Sequence, residues 1–294
     1  MKLATFSAHG EQRVGLVDAE AGVVRDATAV LPAGAGMLDV IAGWAELGPA
    51  LTDAAAALPA QALDAVALLA PIPVPRRNLF AVGKNYVEHV AEFGRSGYDT
   101  PHRSEDLPER PIVFSKATTS VVGSGAVVDP HHGVTRELDY EGELAVIIGP
   151  GGRGISREQA FDHVWGYTIV NDVTARDLQR DHKQWLLGKS LDTHCPMGPW
   201  AVTADEITDV GTLEVETTVN GERRQLAPVK DLIFDIPELI ATISAGITLL
   251  PGDVIVTGTP AGVGIGFSPP RFLTSGDVVE VSITGLGTLT NPVG

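Results

Sequence analysis

Residues 137–148 read Glu137-Leu138-Asp139-Tyr140-Glu141-Gly142-Glu143-Leu144-Ala145-Val146-Ile147-Ile148, with acids at every second position running into an apolar segment. An extended chain sends alternate side chains to opposite faces. On that reading Glu137, Asp139, Glu141 and Glu143 share one face, and Leu138, Tyr140 and Leu144 take the other. Carboxylates crowded on one face repel unless a cation neutralises them. A hard divalent ion with oxygen ligands resolves the crowding, and a solvated strand edge is the plain alternative.

Working outward, the turn Gly149-Pro150-Gly151-Gly152 ends the stretch, and a strand over 165–170 leads into Asn171-Asp172-Val173-Thr174-Ala175-Arg176-Asp177. Upstream, residues 79–82 read as a short buried strand, followed by Gly83-Lys84-Asn85-Tyr86 and a helix over 87–93. On that helix His89 and Glu92 are three apart and face the same way, the arrangement of a water-activating pair or of a surface ion pair. A strand at 112–114 has Lys116 just beyond it. Between these elements, residues 94–110 are polar, with glycine, proline and alternating charge, and have the length of a lid loop. The remainder reads as short strands, with an apolar helix at 235–247.

The first 30 residues predict strands around glycine turns, and residues 36–69 carry Ala- and Leu-rich helical spacing, interrupted near Gly48-Pro49 and Pro59. The prolyl stretch Pro71-Ile72-Pro73-Val74-Pro75 reads as a joint. The expectation is a small α+β domain over residues 1–70 and a larger, β-rich domain over 71–294, since many short strands and few long helices argue against βαβ winding.

With 44% apolar and 20% charged residues, the 294-residue chain has the composition of a globular protein with a full core. It has 37 acidic against 21 basic residues, a formal charge of -16, and no Lys/Arg cluster, which argues against a nucleic acid partner. A small anionic substrate remains compatible, because a metal and a few local cations reverse the field inside a cleft. No run of about 18 apolar residues argues for a membrane span. A single cysteine, Cys195, excludes an intrachain disulfide framework, and the cytoplasm is the expected compartment. His194 beside Cys195 does not present the geometry of a nucleophile and its base, so that pair is set aside.

Four blocks in order, Asp139-Tyr140-Glu141-Gly142-Glu143-Leu144, 171–177, Gly188-Lys189-Ser190 with Asp192-Thr193 and Cys195-Pro196, and Gly258-Thr259-Pro260-Ala261-Gly262-Val263-Gly264, resemble the fumarylacetoacetate hydrolase family over about residues 71–294. The resemblance implies an α+β, β-rich catalytic fold of rolled mixed β-structure, a small variable N-terminal domain, a homodimer, and Mg²⁺ or Mn²⁺. Glu141, Glu143 and Asp172 match the metal-ligating carboxylates, and Lys189 matches a lysine facing the substrate oxygens. His89 and Glu92 match the water-activating dyad, and Arg176 and Gln179 match pocket-lining polar residues. Gly258 and Thr259 match a turn able to hold a substrate carboxylate. Asp139 and Asp177 read as structural partners, and Arg176 has a second reading as a buried salt-bridge partner of one of them.

The implied activity is metal-dependent hydrolysis of a C–C bond in an acylpyruvate-like 2-oxo acid. Decarboxylation of oxaloacetate, which needs the same enolate but no attacking water, is the alternative. A non-catalytic metal-binding dimer is a remote third.

Overall fold

The apolar run after Glu143 forms the strand Gly142–Ile148, buried at every position. Leu144, Val146 and Ile148 enter one core together with Tyr167, Ile169, Val215 and Val281. Ala145 and Ile147 enter a second core, with Trp165, Ala201 and Leu3. Because both faces are covered, the strand reads as a continuous apolar run instead of an alternation.

In this computed structural model, which describes residues 1–8, 10–96 and 107–294, that strand sits inside a twelve-stranded mixed sheet. Its antiparallel neighbours are Val164–Asn171 and Val254–Val256. Val254–Val256 pairs in parallel with Leu79–Gly83, which pairs antiparallel with Ile112–Lys116. On the other side Val164–Asn171 pairs with Cys195–Thr203. A four-stranded sheet of Glu214–Val219, Glu222–Pro228, Val278–Ile283 and Gly287–Pro292 closes over the first core, with the helix Ile236–Ser244. Asp235 caps that helix, its side chain accepting from Glu238 N at 2.9 Å. The fold is α+β and β-rich, with a rolled mixed sheet and a smaller N-terminal α+β region, as the sequence predicts. No described helix is long and apolar enough to cross a membrane.

Two readings change. Residues 36–69 are helical only in their first part, Met37–Ala42 and Trp44–Ala54 with a short turn at Ala55–Ala57. Beyond it lie the strands Ala60–Ala62 and Ala67–Leu68, pairing with Val23–Asp26 and Lys2–Ala8. Pro59 disfavours helix at the residue before it, and alanine's helix preference is weak enough for strand pairing to override. The acidic stretch, in turn, is not one strand. Leu138–Asp139 pairs with Thr174–Ala175, and the ladder breaks at Tyr140 and Glu141 before Gly142–Ile148 begins. Glu137 therefore leaves the face of Glu141 and Glu143 and meets Arg180 Nη1 at 3.3 Å.

The expected boundary near residue 70 is crossed by pairing and packing. The first strand of the N-terminal region joins the same sheet as the rest, Lys2 pairing with Val202 and Leu3 with Ala201. The helices of this region cover the second core, where Trp44 meets Trp165 edge to face at 5.3 Å. Residues 71–294 expressed alone would expose the edge of Cys195–Thr203 and the apolar side chains beneath the missing helices. The expected outcome is an aggregating or non-cooperatively unfolding fragment, measured by size-exclusion chromatography and urea denaturation. A soluble, cooperatively folded fragment would establish the two regions as independent.

Candidate metal centre

The register between Gly142–Ile148 and Val164–Asn171 pairs Gly142 with Asn171 and so brings Glu141, Glu143 and Asp172 together. Asp172 N donates to the Glu141 carbonyl at 2.8 Å, and Glu141 N donates to Asn171 Oδ1 at 3.0 Å, which fixes the approach. One carboxylate oxygen from each acid lies within 4.8 Å of the others, and the three residues are 5%, 1% and 0% exposed. Burial, then the neighbouring Asp172 and Glu141, push the Glu143 carboxyl well above its usual range, although Gly258 N–H donates to it. Burial also acts to raise Glu141, but Lys189 and Arg176 outweigh it and bring that carboxyl down to about 2. Converging oxygen-only donors, one of them pushed up by its own neighbours, fit a hard divalent cation such as Mg²⁺ or Mn²⁺.

Buried cations surround the acids. Lys189 Nζ donates to Glu141 Oε2 and Asp172 Oδ2, both at 2.8 Å. Arg176 Nε donates to Asp139 Oδ2 at 2.9 Å, while its Nη1 meets Glu141 Oε1 at 2.6 Å and Gln179 Oε1 at 3.2 Å. Arg176 is thus both a pocket residue and the salt-bridge partner of Asp139. Its Nη2 is buried with no partner among the described residues, a donor available to an anion. Asp139 also accepts from Gly264 N and Ile265 N, and Asp177 ties down Thr135 and Arg136 N.

The sequence reading gives no role to Lys116. It is fully buried and donates to Asp172 Oδ1, the Val173 carbonyl and the Lys189 carbonyl. The one signal for it is charge balance, because the acids at 139, 141, 143 and 172 outnumber the cations at 176 and 189.

His89 and Glu92 come together on the helix Val87–Arg95, His89 Nδ1 lying 3.3 Å from Glu92 Oε2. His89 is buried, and the Glu92 oxygens accept from Gly262 N at 2.9 and 3.1 Å. A carboxylate held this way is positioned to accept from Nδ1–H of the tautomer that leaves Nε2 free as an acceptor. Gly262 has φ 108°, and a Cβ there would lie 1.9 Å from the Arg224 carbonyl oxygen, so only glycine serves.

His89, Glu141, Arg176, Gln179, Lys189 and Thr259 line one narrow pocket, walled on its apolar side by Val82, Phe93, Phe114 and Trp185. Trp185 stands edge to face on Phe114 at 5.4 Å and lies so close to Gly83 that a Cβ there would be 2.3 Å from its ring. Gly258 N–H engages Glu143, and Thr259 Oγ1 donates to the Gly142 carbonyl at 3.0 Å and accepts from Gln225 Nε2 at 2.7 Å. This turn therefore holds a carboxylate of the protein itself. Of the loop read as a lid, residues 97–106 lie outside the described residues.

Comparison with known proteins identifies the family. Residues 78–294 match the family described as fumarylacetoacetate (FAA) hydrolase, C-terminal. The chain is 54% identical over 232 residues to oxaloacetate tautomerase YisK of Bacillus subtilis (strain 168), covering 79% of this chain and 74% of that one. The fumarylacetoacetate hydrolase of psychrophilic Exiguobacterium antarcticum superposes with a TM-score of 0.86 at 43% identity, covering 100% of this chain and 99% of that one. Maleylpyruvate hydrolase of Sphingobium sp. SYK-6, in complex with manganese(II) and pyruvate, superposes with a TM-score of 0.79 at 32% identity, covering 100% and 98%. With a family match over most of its length and these relatives on both sequence and structure, the chain belongs to the fumarylacetoacetate hydrolase family.

Proposed function

We propose that the protein is a metal-dependent hydrolase that cleaves acylpyruvate-like 2-oxo acids to pyruvate, or a close relative, and a carboxylic acid. The observation that carries this reading is buried His89, in contact with Glu92, lining the same pocket as Glu141 of the three-carboxylate cluster. Glu141, Glu143 and Asp172 would hold Mg²⁺ or Mn²⁺. When bound, that ion supplies Lewis-acid stabilisation of the negative charge growing on the 2-oxo acid.

The residues divide the remaining work. His89 Nε2 takes a proton from water while Glu92 stabilises the imidazolium through Nδ1. The water oxygen bonds to the distal carbonyl carbon, and the bond between that carbon and the methylene carbon of the pyruvate portion breaks. The electron pair passes to the pyruvate enolate, which the proton on His89 can quench. Arg176 Nη2 and Lys189, which line the pocket, would steady substrate oxygens as charge develops on them. Dryness matters here, because every one of these charges acts more strongly away from water.

A second reading is tautomerisation of oxaloacetate, favoured by the sequence relative of that name. It uses the same 2-oxo acid head and a base at His89 but no attacking water. Assembly as a homodimer belongs to either reading, and a single-chain mass by analytical ultracentrifugation would count against it.

Turnover of acylpyruvates and of oxaloacetate, assayed side by side with Mg²⁺ or Mn²⁺, separates the readings. Hydrolysis is expected to release pyruvate from acylpyruvates. Enol–keto interconversion of oxaloacetate without acylpyruvate cleavage would promote the tautomerase. Glu143→Ala should abolish Mg²⁺ binding in calorimetry while leaving the circular dichroism spectrum intact, and unchanged affinity would remove the three acids as the metal site. His89→Ala should lower kcat/KM for acylpyruvate hydrolysis by about 10²–10⁴-fold, the usual worth of a positioned base, with Mg²⁺ affinity unchanged. Activity within about threefold of wild type would remove His89 from that role.

A further inference from the structure

We propose that Tyr140 is a positioning residue for the base: its hydroxyl, acting through Gly262 and Glu92, holds His89 in the tautomer that keeps Nε2 free. The inference rests on the reading of His89 as the base and adds the group that sets it.

The first observation is a bonded chain from the carboxylate-bearing stretch to the pocket. Tyr140 stands beside Glu141 where the strand ladder is broken, and it is buried. Its ring belongs to the first core with Leu138 and Leu144, yet its hydroxyl reaches a polar partner, donating to the Gly262 carbonyl at 2.8 Å. The N–H of the same glycine donates to both Glu92 oxygens, at 2.9 and 3.1 Å. Glu92 Oε2 in turn lies 3.3 Å from His89 Nδ1. One glycine is therefore gripped by the phenol on its carbonyl side and grips the carboxylate on its amide side.

The second observation is how the turn that carries Gly262 is fixed. Residues 258–265 are laced to 139–143 in reverse order. Gly258 N donates to Glu143, and Thr259 Oγ1 donates to the Gly142 carbonyl at 3.0 Å. Gly264 N and Ile265 N donate to Asp139 at 2.6 and 3.2 Å. Tyr140 supplies the tie between these, and it falls on the glycine that holds Glu92. Glycine has the widest backbone freedom of any residue, so the direction of its N–H depends on such ties.

The third observation is how little room the pair has. Glu92 lies so close to the same turn that a Cβ at Gly266 would be 1.8 Å from its Oε1. A shift of the turn therefore carries the carboxylate with it. The 3.3 Å contact with His89 already stands at the long end of the N–H···O range, so a small shift is enough to break it. Removing the phenol hydroxyl leaves the Gly262 carbonyl without that donor and free to turn toward another. His89 then loses the partner that selects its tautomer.

Nitrogen-15 NMR of the imidazole rings, recorded with Mg²⁺ in alkaline buffer, reads the tautomer directly, the His89 signals being those absent from His89→Gln. Wild type should show His89 in the Nδ1–H form. Tyr140→Phe keeps the ring in the core and should show a mixture of the two tautomers. An unchanged Nδ1–H form in Tyr140→Phe would overturn the role of Tyr140. Any other form in wild type would remove His89 as the base, and this inference with it. A kinetic cycle adds a readout that a merely structural role would not move, with acetylpyruvate cleavage or oxaloacetate enol–keto interconversion as the reaction, whichever wild type catalyses. Tyr140→Phe should lower kcat about 10-fold with KM within about twofold, and in a Glu92→Gln background it should cost less than about twofold. Equal losses in both backgrounds would overturn the coupling through Glu92. If wild type catalyses neither reaction, the proposed function falls, and the NMR result decides on Tyr140 by itself.

Discussion

Four acids and three cations share one dry volume: Asp139, Glu141, Glu143 and Asp172 against Arg176, Lys189 and Lys116. Removing a charge from water costs several kcal/mol even after relaxation, so such a cluster survives only with its hydrogen bonds made. The fold supplies them, through the N–H groups of Gly258, Gly264 and Ile265 and the carbonyls of Val173 and Lys189. The sheet, covered on both faces, excludes water around them. Counted formally, the acids exceed the cations by one. A divalent cation would turn that balance positive, which suits an anionic substrate inside an otherwise acidic molecule.

Much of this centre is legible because its residues come in short runs. Glu141 and Glu143 stand two apart at the head of a strand, Asp172 follows directly on the neighbouring strand, and His89 and Glu92 share a helix face. Local periodicity carries such pairs. Lys116 is not legible in the same way, since a lysine closing a strand has no spacing partner in sequence. Only the packing of Ile112–Lys116 beside the turn that carries Lys189 reveals its contacts. The break at Tyr140 and Glu141 is hidden for a similar reason. Nothing in the alternation distinguishes one long strand from two short ones with different partners. Residues 60–68 mislead because alanine's helix preference is intrinsic, whereas their strand form comes from pairing.

Fold and site carry different information about activity. The relatives include a tautomerase by sequence and, on the same architecture, a fumarylacetoacetate hydrolase and a maleylpyruvate hydrolase. In this chain that architecture carries a dry carboxylate cluster. Around it stand His89 in contact with Glu92 and an aromatic wall of Phe93, Phe114 and Trp185, and activity follows from such groups and not from the architecture alone.

The pairing of Leu3 with Ala201 has a consequence for synthesis of the chain. The strand Lys2–Ala8 leaves the ribosome early, yet the edge it joins, Cys195–Thr203, comes late. Until then it can pair only with local neighbours such as Glu11–Asp18. Closing so long a stretch of chain is entropically slow, and an apolar strand left waiting is open to the wrong partners. Until the edge at 195–203 has been made, the strand is therefore open to misassembly.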